Sequence, residues 1–226
     1  MEIVALLKSL SRDIRDYLLT RVVLPRMAAL LALLVTAAWC HSGSQSLPLT
    51  WIEATFEIGL VVLLLSQFRL WDDLADVHKD GLIDPQRVLC RTAHRASFMV
   101  LVVLLAVGSI SLLAGSRNVR ALGLLGGLTL LMIGWYAIPA RTSWTVMNYH
   151  VVLLKYPVFI LLMEAPTERI VHPATMGAAL AVYLILCVFE VCHDPTLRSR
   201  TGVRVLAGAE GLLLVVSIAT MTGATS

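Results

Sequence analysis

Residues 69–80 read Arg-Leu-Trp-Asp-Asp-Leu-Ala-Asp-Val-His-Lys-Asp, and they follow an apolar run, residues 51–70, that is long enough to cross a bilayer. The stretch places four carboxylates, those of Asp72, Asp73, Asp76 and Asp80, within nine residues. On a helix that turns about 100° per residue, these side chains and Arg69 fall within an arc of roughly 100°. Because like charges at this spacing repel each other, the pattern predicts a site that binds a cation.

The composition of the whole chain is that of a membrane protein. Of its 226 residues, 58% are apolar and 15% are charged, whereas an ordinary soluble domain has about 25% charged residues. The apolar residues form long blocks near the ~20 residues of a spanning helix, whose backbone satisfies its own hydrogen bonds in lipid. We therefore expect an all-α fold, a polytopic transmembrane bundle within a single membrane domain, residues 1–226. The seven predicted spans are 20–40, 51–70, 96–115, 119–140, 143–163, 173–192 and 203–222.

The distribution of basic residues predicts the orientation of these spans. With a cytoplasmic N-terminus and alternating spans, 14 of the 18 Lys and Arg residues lie on the cytoplasmic side, as the positive-inside rule requires. The other four are Arg117, Arg120 and Arg169 on the outer side and Lys155 within the fifth span. Residues 1–18 combine charges with an apolar stripe, which predicts either an amphipathic helix on the cytoplasmic surface or an extension of the first span.

A second acidic pair lies at the end of the sixth predicted span. Glu190 and Asp194 are four residues apart, so they share one helix face. The helix dipole disfavours acids at a helix C-terminus, which again indicates a cation ligand. The predicted topology puts this pair and the Asp72–Asp80 run at the same cytoplasmic surface. Because Mg²⁺ prefers carboxylate and phosphate oxygens, two such clusters at one level suit a diphosphate bound through Mg²⁺.

Together, the two acidic clusters resemble the motifs of the UbiA prenyltransferase superfamily. The first motif of that family, N/D-D-x-x-D-x-x-x-D, is similar to the run from Asp72 to Asp80, and the second, D-x-x-x-D, is similar to Glu190-x-x-x-Asp194. Both lie at the cytoplasmic ends of even-numbered predicted spans, as in the family, and the resemblance extends over residues 20–222. Arg87 follows the first motif as the basic residue of the family does.

The chain also departs from the family pattern at several points. Val88 stands where a proline is usual, and Glu190 stands where an aspartate is usual. Family members typically have nine transmembrane helices, whereas this chain has seven predicted spans.

The resemblance implies a prenyltransferase, a Mg²⁺-dependent enzyme that moves an isoprenyl group from a prenyl diphosphate to an aromatic or lipid acceptor. It implies a central cavity open to the cytoplasm, and we expect the inner membrane of a bacterium as the location. The implied metal ligands, all but the first also expected to be catalytic, are Asp72, Asp73, Asp76, Asp80, Glu190 and Asp194. The basic residues expected to bind the diphosphate are Lys155, Arg87, Arg69, Arg91 and Arg141.

Other functions stay open at this point. The same site could serve a terpene cyclase of the UbiA type, or it could be a degenerate site in a non-catalytic carrier or assembly protein. Glu190-x-x-His193 has the spacing of half a di-iron motif, with His78 and His94 as further ligands, but such sites need two of these motifs. The net charge of +3 gives no case for nucleic acid. Association of the chain with itself to replace absent helices also stays open.

Two further patterns concern helix packing and cysteine chemistry. Gly123, Gly126 and Gly127 in the fourth predicted span indicate close approach of a neighbouring helix. The cysteines, which show no C-x-x-C spacing, indicate neither a disulfide framework nor a zinc site; they are Cys40, Cys90, Cys187 and Cys192.

Overall fold

The structure is a computed structural model that describes residues 2–21, 24–40, 51–115, 118–164 and 172–223, and every regular element in these ranges is a helix. The all-α prediction is confirmed. In chain order the elements are α1 (Glu2–Arg21), α2 (Leu24–Cys40), α3 (Trp51–Ala75), α4 (Val77–Ile83), α5 (Val88–Arg91), α6 (Arg95–Gly115), α7 (Val119–Tyr136), a 3-10 helix (Pro139–Ser143), α8 (Thr145–Leu153), α9 (Lys155–Glu164), α10 (Pro173–His193), α11 (Pro195–Arg198) and α12 (Thr201–Gly223).

Five helical segments are long and apolar enough to cross a membrane, which indicates an integral membrane protein. They match the second to sixth predicted spans and are Trp51–Ala75, Arg95–Gly115, Val119–Tyr136, Thr145–Glu164 and Pro173–His193. A sixth is added if Lys8–Arg21 and Pro25–Trp39, which meet at a bend, count as one span. The seventh predicted span falls on α12, which is not among these five.

The count of seven spans, their orientation and a central cavity stay predictions. Of the basic residues assigned to the outer side, Arg117 and Arg169 lie outside the described residues.

Helix α3 extends beyond its predicted apolar end at residue 70 and carries the acidic run. It continues to Ala75, and a turn at Asp76 joins it to α4. Across that turn the Asp76 amide donates to the Asp72 carbonyl at 3.0 Å, and the Asp80 amide donates to the Asp76 carbonyl at 2.8 Å. The i, i+4 spacing therefore persists through the whole run. The charged residues mark the end of the apolar stretch but not the end of the helix.

The fifth predicted span is divided into α8 and α9 at Leu154. Pro157 accounts for the break, because it has no amide hydrogen to donate to the Leu153 carbonyl and its ring crowds that carbonyl. The two helices still form a single candidate span, Thr145–Glu164. Polar residues within it have protein partners: Asn148 accepts a 3.1 Å hydrogen bond from the Trp135 indole.

The expectation that Gly123, Gly126 and Gly127 mark close helix packing is wrong for the part of the chain that the structure describes. A Cβ atom added at any of these positions would meet no neighbouring atom within 4 Å. The glycines lie on α7, where Gly126 and Gly127 are exposed. A stripe of small residues permits close approach but does not require it, since lipid can cover the same surface.

The chain divides into two compact units, one made of Met1–Ala32 and Ile58–Leu112 and the other of Leu33–Glu57 and Leu113–Ser226. The first unit, which contains the acidic run, has a core of Tyr17, Leu70, Val88, Leu89, Phe98 and Val102. The second unit has a core of Tyr149, Leu153, Cys187, Val191, Leu197 and Val203.

Helix α6 of the first unit has an exposed apolar face. Val100, Val103, Leu104 and Val107 are all more than half exposed, and their spacing places them on one side of the helix. An exposed apolar stripe of this length suits contact with lipid.

Candidate functional site

Asp73 is the most buried carboxylate of the acidic run, and its oxygens bind groups from α1 and α3. The Tyr17 hydroxyl donates a 2.8 Å hydrogen bond to Oδ2. The Arg21 Nε donates to Oδ2 at 3.2 Å, and the Arg21 Nη2 forms a close ion pair with Oδ1. The Arg69 Nε lies 3.7 Å from Oδ2, which is an ionic contact but too long for a hydrogen bond. Two arginines therefore neutralise a single buried aspartate.

The Tyr17 hydroxyl acts as a hydrogen-bond donor to Asp73. Burial, and then the negative charge of Asp73, raise the pKa of Tyr17 well above its usual value. A deprotonated phenol would be buried next to a carboxylate with no proton to share, which is unfavourable on both counts. In this contact a neutral phenol therefore donates a hydrogen bond to a charged carboxylate.

The second buried carboxylate of the run, Asp80, is paired with the basic residue that follows the motif. The Arg87 Nη1 forms a close ion pair with Asp80 Oδ2, and the Arg87 Nε lies 3.7 Å from Asp84 Oδ2. The side chains of Asp72 and Asp76 are half-buried. Arg87 therefore lies beside an acid of the motif, and its role in diphosphate binding stays a prediction.

Helix α1 is held against the rest of the first unit by several polar contacts besides those of Arg21. The Arg91 Nη2 lies 3.1 Å from Asp16 Oδ2, and the Thr92 hydroxyl donates to Asp13. Near the start of α6, the Tyr17 ring packs edge-on against Phe98, with the ring centroids 5.6 Å apart. These contacts fix Tyr17 and Arg21 beside Asp73. The helix predicted for residues 1–18 is therefore formed, whereas its position at a membrane surface stays a prediction.

In the second acidic pair, Asp194 has a clear local role. It ends α10 and begins α11, and its Oδ1 accepts 2.8 Å hydrogen bonds from both the amide and the hydroxyl of Thr196. This is an N-cap arrangement, which satisfies an amide that the short helix leaves without a partner. Glu190, one turn earlier on α10, is half-buried. A capping function accounts for Asp194 without a metal, and the second carboxylate oxygen is not used by the cap.

Two of the basic residues assigned to diphosphate binding, Lys155 and Arg141, are buried in the second unit. Lys155, at the start of α9, is 2% exposed and its Nζ lies 5.3 Å from the centre of the Tyr156 ring. Arg141, in the 3-10 helix, is 4% exposed and lies 5.0 Å from the Tyr136 ring centre. A buried lysine within a candidate membrane span is a strong indicator of function.

The structure shows contacts among some of the predicted residues, and the others belong to the second unit. Within the first unit, Asp73 meets Arg69, and Asp80 meets Arg87; Arg91 pairs with Asp16 of α1. The residues of the second unit are Arg141, Lys155, Glu190 and Asp194. That the two acidic clusters form one site stays a prediction.

Tyr17 and Arg21 are the two groups near the motif that the sequence pattern did not reveal. They lie 56 and 52 positions before Asp73, so no local spacing connects them. The related sequence signal was the apolar stripe of residues 1–18, which predicted an amphipathic helix on the cytoplasmic surface or an extension of the first span. Comparison of the chain with family models, curated proteins and solved structures found no match.

Proposed function

We propose that this chain is a Mg²⁺-dependent intramembrane prenyltransferase, which transfers an isoprenyl group from a prenyl diphosphate to an aromatic or lipid acceptor. The observation that carries the proposal is the pairing of carboxylates with arginines at the end of α3, a candidate membrane span. Asp73 contacts Arg21 and Arg69, and Asp80 contacts Arg87. A site of this kind supplies carboxylates that can bind a divalent cation and guanidinium groups that can bind the phosphates that accompany it.

The side chains present fit Mg²⁺ by their chemistry. Asp72, Asp73, Asp76 and Asp80 offer only carboxylate oxygens, which are the ligands of a hard cation. The helical spacing that persists from Asp72 to Asp80 keeps them within one stretch of helix surface. These carboxylates would hold Mg²⁺, which would supply the positive charge that stabilises the leaving diphosphate.

The arginines would exchange partners when substrate binds. Arg87 pairs with Asp80 in the structure; a diphosphate oxygen is an equally good acceptor for its guanidinium, and bidentate contacts with phosphate are strong. The carboxylates released in this way would become metal ligands. The ion pairs thus preserve the geometry of the site and limit the repulsion among four acids before substrate arrives.

In the proposed reaction the bond between C1 of the isoprenyl group and the diphosphate oxygen breaks, and the diphosphate leaves with the electron pair. The acceptor attacks the resulting allylic cation and loses a proton. Lys155, buried in a candidate span, and Arg141 would bind the leaving diphosphate. Apolar side chains of the spans would surround the isoprenyl tail and exclude water from the cation.

One observation also favours a non-catalytic carrier with a degenerate site. Asp73 already accepts from Tyr17 and Arg21, so its charge is compensated within the protein itself. A chain that had lost its metal would be stable with this arrangement. The two functions differ in what happens to a prenyl diphosphate, which makes them separable by experiment.

The test is release of pyrophosphate by the purified protein in lipid nanodiscs, with farnesyl diphosphate as donor and a mixture of aromatic and lipid acceptors. Asp76→Asn should lower the Mg²⁺-dependent rate by about 100-fold or more, because it removes one metal ligand. Asp84→Asn, the same change at an exposed acid just beyond the motif, is the matched control and should retain most of the rate. An equal rate for wild-type protein and Asp76→Asn would contradict the proposal.

A further inference from the structure

Three helices of the second unit bring a histidine, a cysteine and a glutamate together at one place. His150 lies on α8, Cys187 on α10 and Glu210 on α12. One ligand atom from each side chain can be chosen so that all three lie within 4.8 Å of one another. Cys187 is fully buried and Glu210 is 8% exposed, so the group lies inside the unit. This cluster is separate in sequence and in chemistry from the acidic run.

The distances within the cluster come close to those between ligands of a single metal ion. The Cys187 Sγ lies 3.5 Å from the His150 Nδ1, and the Glu210 Oε1 lies 3.4 Å from the His150 Nε2. A tetrahedral zinc ion with bonds of ~2.0–2.3 Å separates its ligand atoms by roughly 3.3–3.8 Å. Since only one ring nitrogen can bind a given ion, the third ligand must approach by about 1 Å, which is within the range of a side-chain rotation.

Glu210 supplies the second, independent observation. Its Oε2 is buried and has no hydrogen-bond partner among the described residues. Buried polar atoms are nearly always satisfied, and an ionised carboxylate is costly in an apolar environment without a partner. The surroundings are apolar, since Leu153, Val191 and Val203 belong to the same core as Cys187. A cation between Glu210, His150 and Cys187 would satisfy the unpartnered oxygen.

The orientation of the imidazole is fixed by a neighbour on α10. The Tyr183 hydroxyl lies 2.8 Å from the His150 Nδ1, and Tyr183 is one helical turn before Cys187. Metal-bound histidines commonly use the second ring nitrogen in a hydrogen bond that holds the ring in place. If Nε2 binds the metal, Tyr183 would hold the ring through Nδ1. If Nδ1 binds the metal, the Tyr183 hydroxyl would lie next to a coordination position that the protein leaves open.

We propose that His150, Cys187 and Glu210 form a binding site for a divalent transition metal, with Zn²⁺ as the ion that the donor set fits best. Imidazole nitrogen, thiolate sulfur and carboxylate oxygen are the three ligand types of zinc sites, whereas Mg²⁺ does not select a thiol. Binding converts the Cys187 thiol to a thiolate and releases its proton to solvent, so affinity rises with pH. Three protein ligands leave a fourth position for a water molecule or a small ligand.

The test is metal binding by the purified full-length chain in detergent, measured by elemental analysis after dialysis against Zn²⁺ and by titration with Co²⁺. We expect one Zn²⁺ per chain and, with Co²⁺, a near-ultraviolet thiolate-to-metal charge-transfer band. Cys187→Ser should abolish the band, and Glu210→Gln should weaken affinity by about 10-fold or more. Cys192→Ser, the same change at an exposed cysteine on the same helix, should alter neither.

Two outcomes would overturn the proposal. Absence of stoichiometric Zn²⁺ and of the charge-transfer band in wild-type protein would show that the cluster is a hydrogen-bonded structural group. Equal loss of the band in Cys192→Ser and Cys187→Ser would show that cobalt binds elsewhere. Because the first readout uses the wild-type chain, it decides the question even where a variant fails to fold.

Discussion

The hydroxyl of Tyr17 donates a 2.8 Å hydrogen bond to Asp73, and this contact joins helix α1 to the acidic run at the end of α3. We predict that Tyr17→Phe lowers the free energy of unfolding by about 1.5–3 kcal/mol, because a charged acceptor loses its donor. The melting temperature in detergent should fall by roughly 3–12 °C for a chain of this size.

Tyr149→Phe is the matched control for this change. The Tyr149 hydroxyl is buried and has no hydrogen-bond partner among the described residues, so its removal should leave stability unchanged or raise it. A larger loss for Tyr149→Phe than for Tyr17→Phe would contradict the assigned contacts.

The high pKa of Tyr17 adds a dependence on pH: the phenol stabilises the folded state below about pH 10. Above that pH the contribution falls, because the Tyr17 phenol of the unfolded chain loses its proton at a lower pH than the phenol of the folded chain.

The ion pair between Arg21 and Asp73 should couple the two residues energetically. Its side chains are 24% and 7% exposed, so the pair lies between a surface ion pair and a fully buried one. In a double-mutant cycle with Arg21→Gln and Asp73→Asn, we expect a coupling energy of about 1–2 kcal/mol. Arg12→Gln, at an exposed position of the same helix, should show no coupling to Asp73→Asn; comparable values for Arg12 and Arg21 would rule out a specific pair.

Substitutions at Asp194 separate its capping role from its proposed metal role. Asp194→Ala removes the side-chain acceptor of the Thr196 amide, so it should cost about 0.5–2 kcal/mol of stability. Asp194→Asn keeps an oxygen that can cap the helix and removes only the charge. We therefore expect normal stability for Asp194→Asn with a roughly 10-fold weaker Mg²⁺-dependent binding of prenyl diphosphate. Normal binding of prenyl diphosphate by Asp194→Asn would show that Asp194 acts only as a helix cap.

Lys155→Met tests whether the buried ammonium binds phosphate. Methionine retains the length and most of the packing of the side chain but has no charge. Loss of one charged contact of about 1.5–3 kcal/mol should weaken the binding of prenyl diphosphate by roughly 10–100-fold. The control is Lys8→Met, at an exposed lysine of α1. Should both variants bind like the wild-type protein, Lys155 has a structural role only.

Much of the fold was predictable because its main signal is local. The apolar blocks identified the helices Arg95–Gly115 and Pro173–His193 to within a residue or two of their bounds. The predicted span ended at residue 70 whereas α3 continues to Ala75, because a change from apolar to charged residues marks the edge of a membrane and not of a helix. Likewise, the break at Leu154 depends on Pro157, and the pattern of apolar residues alone does not locate it.

The candidate sites were predictable only where their residues are close in sequence. The spacing of Asp72–Asp80 and the nearby Arg87 was readable as a pattern, and the structure shows Arg87 paired with Asp80. Arg21 comes from a helix about fifty positions earlier, so only tertiary packing connects it to Asp73. The cluster of His150, Cys187 and Glu210 joins three helices in the same way. Two sequence features could have indicated it, namely His150 within the fifth predicted span and Glu210 within the seventh.

The central claim is that the acidic run binds a prenyl diphosphate through Mg²⁺, and equilibrium binding tests it most directly. Binding of farnesyl diphosphate to the purified chain in nanodiscs should be measured by calorimetry with Mg²⁺, with Zn²⁺ and with a chelator. The account predicts saturable binding with Mg²⁺, loss of binding with the chelator, and at least about 10-fold weaker binding for Asp76→Asn than for Asp84→Asn. Binding of equal strength without any divalent cation, or no binding with any of them, would contradict it.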